Sequence, residues 1–175
     1  MMPAPSYNGT NLVVGIGDLV VSNRAEHVIV THALGSCLGV TAHDPVARVG
    51  GMVHVMLPLT PSDHEDATLR PAKYVETGVA MLFRELYALG GKKERILLCV
   101  AGGARTTGAV GAEIFEIGRR NAVALKKVLW QNGVLARGSD LGGTHSRTLS
   151  LRIDDGTVTV TGAGMKRALG GASCP

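Results

Sequence analysis

Up to residue 57 the apolar residues fall in short β-branched or alternating runs, not at helical spacing. Residues 18–22, 27–34, 38–43 and 49–57 form four such runs. They are separated by Ser22-Asn23, Gly35-Ser36 and Asp44-Pro45, pairs that favour turns, so the pattern predicts four strands. Residues 60–68 are polar and acidic, with Pro61, Asp63, His64, Glu65 and Asp66, and read as a surface loop near the mouth of a site. From residue 72 to 89 the period becomes helical: Val75, Val79, Leu82, Phe83 and Leu86 recur every three or four positions, and Gly90-Gly91 supplies a stop. Residues 96–100 are a wholly apolar strand bounded by Gly102-Gly103. A second helix is predicted over 117–131, with Ala122, Leu125, Val128 and Leu129 inward and Gly133 past its end. Strands at 134–137, 148–153 and 157–161 follow, the last two joined by Asp155-Gly156, a two-residue hairpin signal. Many strands and two main helices, without strict strand–helix alternation, predict an α+β domain.

At 175 residues the chain suits one domain with a sizeable core, 1–175, whose ends at 1–11 and 162–175 read as loosely ordered tails. Aromatics are only 3% of residues, so Val, Leu, Ala, Met and Gly must fill that core. The first basic residue is Arg24, and the longest strongly apolar run, 96–101, is far too short for a bilayer. The expectation is a soluble cytoplasmic protein with no membrane insertion. A net charge of +4 leaves room for an acidic partner surface, but the basic residues come as short pairs, such as Lys126-Lys127, without interleaved aromatics. That argues against nucleic acid and for solvated helix faces.

Three cysteines, Cys37, Cys99 and Cys174, form no CxxC and suggest neither a disulfide framework nor a zinc cluster. Cys37 stands in the turn Leu34-Gly35-Ser36-Cys37, on backbone open enough for a carbonyl to approach the sulfur. His54 lies in the apolar stretch Val53-His54-Val55, where an imidazole is costly unless its nitrogens find partners. Together they suggest a thiol activated by a base. Thr31, Asp18, Asp44 and Thr41 are all candidates to orient the ring, and the backbone N–H groups of Gly35, Ser36 and Cys37 are candidates for an oxyanion hole. Cys99 reads as core and Cys174 as an exposed bystander. His27, His32, His43, His64 and His145 read as surface or loop residues, and Arg119-Arg120-Asn121 as a helix start with its cap. Gly102-Gly103-Ala104 lacks the Lys-Ser/Thr that a phosphate-binding loop requires.

The ordered series Thr31-His32-Ala33-Leu34-Gly35-Ser36-Cys37, Asp44-Pro45, Gly50-Gly51-Met52-Val53-His54-Val55-Met56-Leu57-Pro58, Gly102-Gly103-Ala104, Ile117-Gly118-Arg119-Arg120-Asn121 and Gly142-Gly143 with Arg147 closely resembles CheD, the chemoreceptor glutamine deamidase family. The likeness runs over roughly residues 15–160. It implies a layered sandwich of mixed β-sheets flanked by helices, similar to glutamine-deamidating toxin-like cysteine hydrolases. It further implies Cys37 as nucleophile, His54 as base and Thr31 as the orienting residue, with no metal or organic cofactor. The implied substrates are glutamines on chemoreceptor cytoplasmic helices, converted to glutamate in sensory adaptation. A second role implied by the family is regulatory partnership with CheC, the phosphatase that acts on the phosphorylated response regulator CheY.

Overall fold

A computed structural model of the chain describes residues 9–59, 65–105 and 112–171. Among the described residues, ten strands and three α-helices are arranged in three layers. The outer sheet has the order β1 (Thr10–Val13), β3 (His27–Leu34), β8 (Arg147–Arg152), β9 (Val158–Gly162), β10 (Met165–Gly170). The central sheet has the order β2 (Leu19–Ser22), β5 (Val49–Val55), β4 (Leu38–Asp44), β6 (Leu97–Gly102), β7 (Ala136–Leu141). Helices α2 (Val75–Ala88) and α3 (Ala112–Gln131) cover the far face of the central sheet, and a short α1 (Glu65–Leu69) precedes α2.

The alternation of side chains along a strand divides the core into two apolar layers. Leu38, Val40 and Ala42 of β4 and Val49, Val53 and Val55 of β5 pack with Val75, Val79, Leu82 and Leu86 of α2 and Leu125 and Leu129 of α3. The intervening positions face the outer sheet, where Met52, Cys99 and Ala101 meet Ile29, Leu34, Leu149, Leu151, Val158 and Val160. With both faces covered, β4 and β5 are buried at every position.

The predicted strands and helices form, with shifted ends. α2 begins at Val75 after a 3₁₀ turn at Pro71–Lys73, and it closes on Gly90, whose φ of 91° lets its N–H and that of Gly91 reach Tyr87 O and Leu86 O. The strand expected over 134–137 lies at Ala136–Leu141, because residues up to Val134 complete the cap of α3 by returning a hydrogen bond to Leu129 O. Asp155-Gly156 does not make a two-residue turn. Arg152 N–H bonds to Thr157 O and encloses four residues, 153–156, and the tight turn is Ala163-Gly164 with φ of 50° and 75°. That second turn returns the chain as β10, paired with β9 in a stretch where composition predicts a loose tail. Likewise Thr10 and Asn11 belong to β1, parallel to β3.

Of the polar stretch 60–68, residues 60–64 lie outside the described residues and the rest belongs to α1. His64 and Cys174 are outside them too. Cys99 is buried between the sheets. His43, expected at the surface, is buried as well, with Nε2 bonded to Ile153 O at 2.9 Å, because its strand is covered on both faces. Among the described residues no helix is long and apolar enough to cross a membrane.

Candidate active site

Strand β3 carries Thr31 inward and then breaks register: the pairing with β8 shifts between Thr31 and Leu34, and Ala33 takes a φ of 55°. The bulge lets both Thr31 and Leu34 face the core and starts the turn that holds Cys37. Main-chain bonds fix that turn. Gly35 N–H donates to Ala33 O at 2.9 Å, Ala104 N–H to Gly35 O at 2.8 Å and Gly103 N–H to Cys37 O at 2.9 Å. The loop after β6 needs glycine for this approach: Gly102 has a φ of 119°, and a side chain on it would collide with Cys37 O.

His54 projects from β5 into the space between the sheets and is fully buried. In the β4–β5 ladder Gly39 stands opposite His54, so Cys37, two residues earlier, begins on the same side as the imidazole. Consistent with this, the half-buried Cys37 packs against the inter-sheet core. Diagonal neighbours on one face of an antiparallel pair lie about 7–8 Å apart, and no hydrogen bond joins the Cys37 thiol to His54 Nε2 in this structure.

Thr31 and His54 meet across the sandwich, with Thr31 Oγ1 2.8 Å from His54 Nδ1 and 2.7 Å from Val14 O. The tautomer follows from counting protons. A carbonyl only accepts, so the single Thr31 hydroxyl proton goes to Val14 O, and Thr31 Oγ1 must accept from Nδ1–H. Neutral His54 therefore carries its proton on Nδ1 and a lone pair on Nε2. That Nε2 is buried and makes no hydrogen bond among the described residues.

Burial alone lowers the His54 pKa to about 4, so the ring is neutral at pH 7. Burial also pushes the Cys37 thiol up, while its own backbone N–H, turned toward the sulfur, works in the opposite direction. The resting pair is thus thiol and imidazole, not thiolate and imidazolium.

The side chains of the other candidates for orienting the ring are bonded to other groups. Thr41 Oγ1 donates to Cys99 O, and Asp18 Oδ1 accepts from Leu19 N–H. Asp44 sits at the opposite end of β4, bound by Arg95 and by the N–H groups of Val46, Ala47 and Lys92. Of the proposed oxyanion donors, Gly35 N–H is already engaged with Ala33, so Gly35 supports the turn, whereas Ser36 N–H donates no hydrogen bond among the described residues. Asn121 carries no signal in the sequence beyond that of a helix cap. It is not a helix cap but lies in the middle of α3, fully buried, with Nδ2 bonded to Ser36 O and Met56 O. Among the described residues no three His, Cys, Asp or Glu side chains converge as a metal site requires. A groove of about 330 Å³ between α2 and α3, lined by Val79, Phe83 and Val128, lies across the central sheet from the imidazole.

The family profile described as CheD chemotactic sensory transduction matches residues 56–162, a span that begins two residues after His54 and does not include Thr31 or Cys37. A relative from Anaeromyxobacter dehalogenans, named a probable chemoreceptor glutamine deamidase CheD 2, is 44% identical over 149 residues, spanning 85% of this chain and 92% of its own. A Thermotoga maritima relative, named chemoreceptor glutamine deamidase CheD, is 41% identical over 152 residues, 87% of this chain and 92% of its own. Among solved structures, the Bacillus licheniformis hypothetical protein YfiH aligns with a TM-score of 0.44 at 11% identity, over 79% of this chain and 60% of that one. With the profile covering most of the chain and relatives this similar along nearly their whole length, the chain belongs to the CheD family.

Proposed function

We propose that this chain is a protein-glutamine deamidase that converts glutamine side chains on chemoreceptors to glutamate, with Cys37 as nucleophile, His54 as base and Thr31 as the residue that sets the imidazole. The carrying observation is the His54 ring: its Nδ1–H is committed to Thr31, and its lone pair is left bare on the face where Cys37 begins. The names of the relatives support the choice of substrate.

His54 Nε2 accepts the thiol proton as Sγ attacks the carboxamide carbon. The new C–S bond displaces the C=O π pair onto oxygen, where the N–H groups of Ser36 and Cys37 are the available donors. One such donor typically contributes about 3 kcal/mol to the transition state. Collapse of the tetrahedral adduct breaks the C–N bond, and the imidazolium gives its proton to the leaving nitrogen, which departs as ammonia. Water, deprotonated by the same Nε2, then adds to the thioester and releases the carboxylate and the thiol. Thr31 keeps Nδ1–H as donor throughout, so the cation formed in each half-reaction retains an acceptor.

The test is to incubate the protein with a soluble receptor cytoplasmic fragment. Ammonia release should accompany the mass gain of amide-to-acid conversion at defined glutamines, and both should vanish in Cys37→Ala. Unmodified glutamines after prolonged incubation with the parent protein would overturn the reading.

A further inference from the structure

The Nδ2 amide of Asn121 makes two hydrogen bonds to main-chain carbonyls of different segments, Ser36 O at 3.0 Å and Met56 O at 2.9 Å. Ser36 immediately precedes Cys37, and Met56 lies two residues beyond His54. Among the described residues no other side chain bonds to either carbonyl. Asparagine is a poor residue for a helix interior, and its Oδ1 is buried without a partner among the described residues. Both features weigh against a purely stabilising role.

Close approach is built into α3. Gly118, one turn before Asn121, packs on the loop after β6 so closely that a side chain there would lie 2.7 Å from the Gly103 carbonyl carbon. The helix can therefore bring Asn121 against the thiol turn from below. The peptide between Ser36 and Cys37 is trans and planar, so its C=O and N–H point in opposite directions. A carbonyl held toward α3 sends the Cys37 N–H away from the helix. Ala104 N–H acts in the same sense on Gly35 O and leaves Ser36 N–H unbonded.

We infer that Asn121 is a positioning residue: it clamps the Cys37 turn to the end of the His54 strand and turns the Cys37 N–H toward the side where the substrate oxyanion forms. This rests on the reading of Cys37 and His54 as nucleophile and base. Asn121 is fully buried and acts through backbone, so its loss leaves substrate docking intact and misaligns only the reacting groups.

Steady-state kinetics of Asn121→Asp and Asn121→Ala on a receptor cytoplasmic fragment test the inference. Asp keeps the volume but, as a carboxylate, cannot donate to two carbonyls. In folded variants kcat should fall by about 30- to 100-fold with KM within about threefold of the parent. A folded variant with kcat within about threefold of the parent overturns the proposal, and so does a loss confined to KM. If neither variant folds, amide hydrogen exchange on the unsubstituted protein decides. The Ser36 and Cys37 amides should exchange far faster than those inside β4, and protection equal to β4 overturns it. Cys37→Ala serves as the control. If it retains turnover, the site reading itself fails; if it is inactive while folded Asn121 variants are not impaired, only the clamp fails.

Discussion

Gly39 stands directly across the β4–β5 ladder from His54, and the space over its α-carbon is filled by the Leu34 and Leu149 side chains. The missing side chain lets two leucines close in beside the imidazole, and this dry wall contributes to the burial that keeps His54 neutral. In Gly39→Ala the new methyl would lie 2.9 Å from a methyl of each leucine. The expected outcome is a loss of about 1–3 kcal/mol in unfolding free energy, read by chemical denaturation. Stability equal to the parent would show that the leucines give way freely.

Replacing Cys37 by Ala or Ser should abolish ammonia release and leave the unfolding transition nearly unchanged, because the volume change at this half-buried position is small. Cys99→Ala should keep turnover close to the parent. An inactive but folded Cys99→Ala would mean that the wrong thiol carries the chemistry.

Thr31→Val preserves shape but deletes the acceptor for Nδ1–H and the donor to Val14 O. Nitrogen NMR should find neutral His54 protonated at Nδ1 in the parent and shifted toward Nε2–H in the variant. Turnover should fall by about 10- to 100-fold, with most of it kept in Thr31→Ser. His54→Ala should remove turnover and slow the alkylation of Cys37 by iodoacetamide at neutral pH. Alkylation at the parental rate would break the proposed pairing.

The pH dependence of stability has a definite sign. Unfolded histidine takes up a proton near pH 6.5, whereas His54 in the fold does so only near 4, so between these values the unfolded chain binds more protons. The contribution from His54 is complete above about pH 6.5 and declines as the pH falls toward 4, by on the order of 3 kcal/mol in all. Asp44 acts in a lower window. Burial works against its charge, but Arg95 and the N–H groups of Ala47, Lys92 and Val46 outweigh it and hold the pKa to about 2. Denaturation curves at pH 7 and 4.5 should converge in His54→Leu relative to the parent, and an equal acid loss in both would remove His54 as the cause.

A glutamine presented on a folded helix must enter end-on, so recognition draws on surface beyond the amide. Exposed Ile16, in the loop whose Gly17 N–H bonds to His54 O, offers apolar contact of that kind. A helical receptor fragment should exceed free glutamine by at least about 100-fold in kcat/KM, since about 3 kcal/mol of remote contact suffices. Equal efficiencies would favour a small-molecule amidase.

What could be read from the chain followed locality. The span of β3 is legible to the residue, because Val28-Ile29-Val30-Thr31 is a β-branched run and Gly35 ends it. β4 and β5 are legible because burial on both faces demands long apolar stretches. β10 is not: Met165-Lys166-Arg167-Ala168 is mixed in polarity, mostly exposed, and becomes a strand through pairing with β9 and proximity to β7. The Thr31–His54 contact joins residues 23 apart through two different sheets, so no local pattern separates Thr31 from Thr41 or Asp18. Asn121 was hidden for a similar reason, since a helical asparagine looks like a cap until the glycine loop under α3 shows how deep it lies.

The position of β10 has a consequence for the integrity of the molecule in solution. Its Leu169 carbonyl presses against Gly138 of β7, and Arg167 pairs with Asp140 at 3.0 Å, so the rim strand of one sheet is latched onto the rim strand of the other. Strand rims with free N–H and C=O groups are templates for pairing between molecules. A chain shortened before Met165 would bare the margins of β9 and β7 together, and its first defect would be self-association rather than slower chemistry.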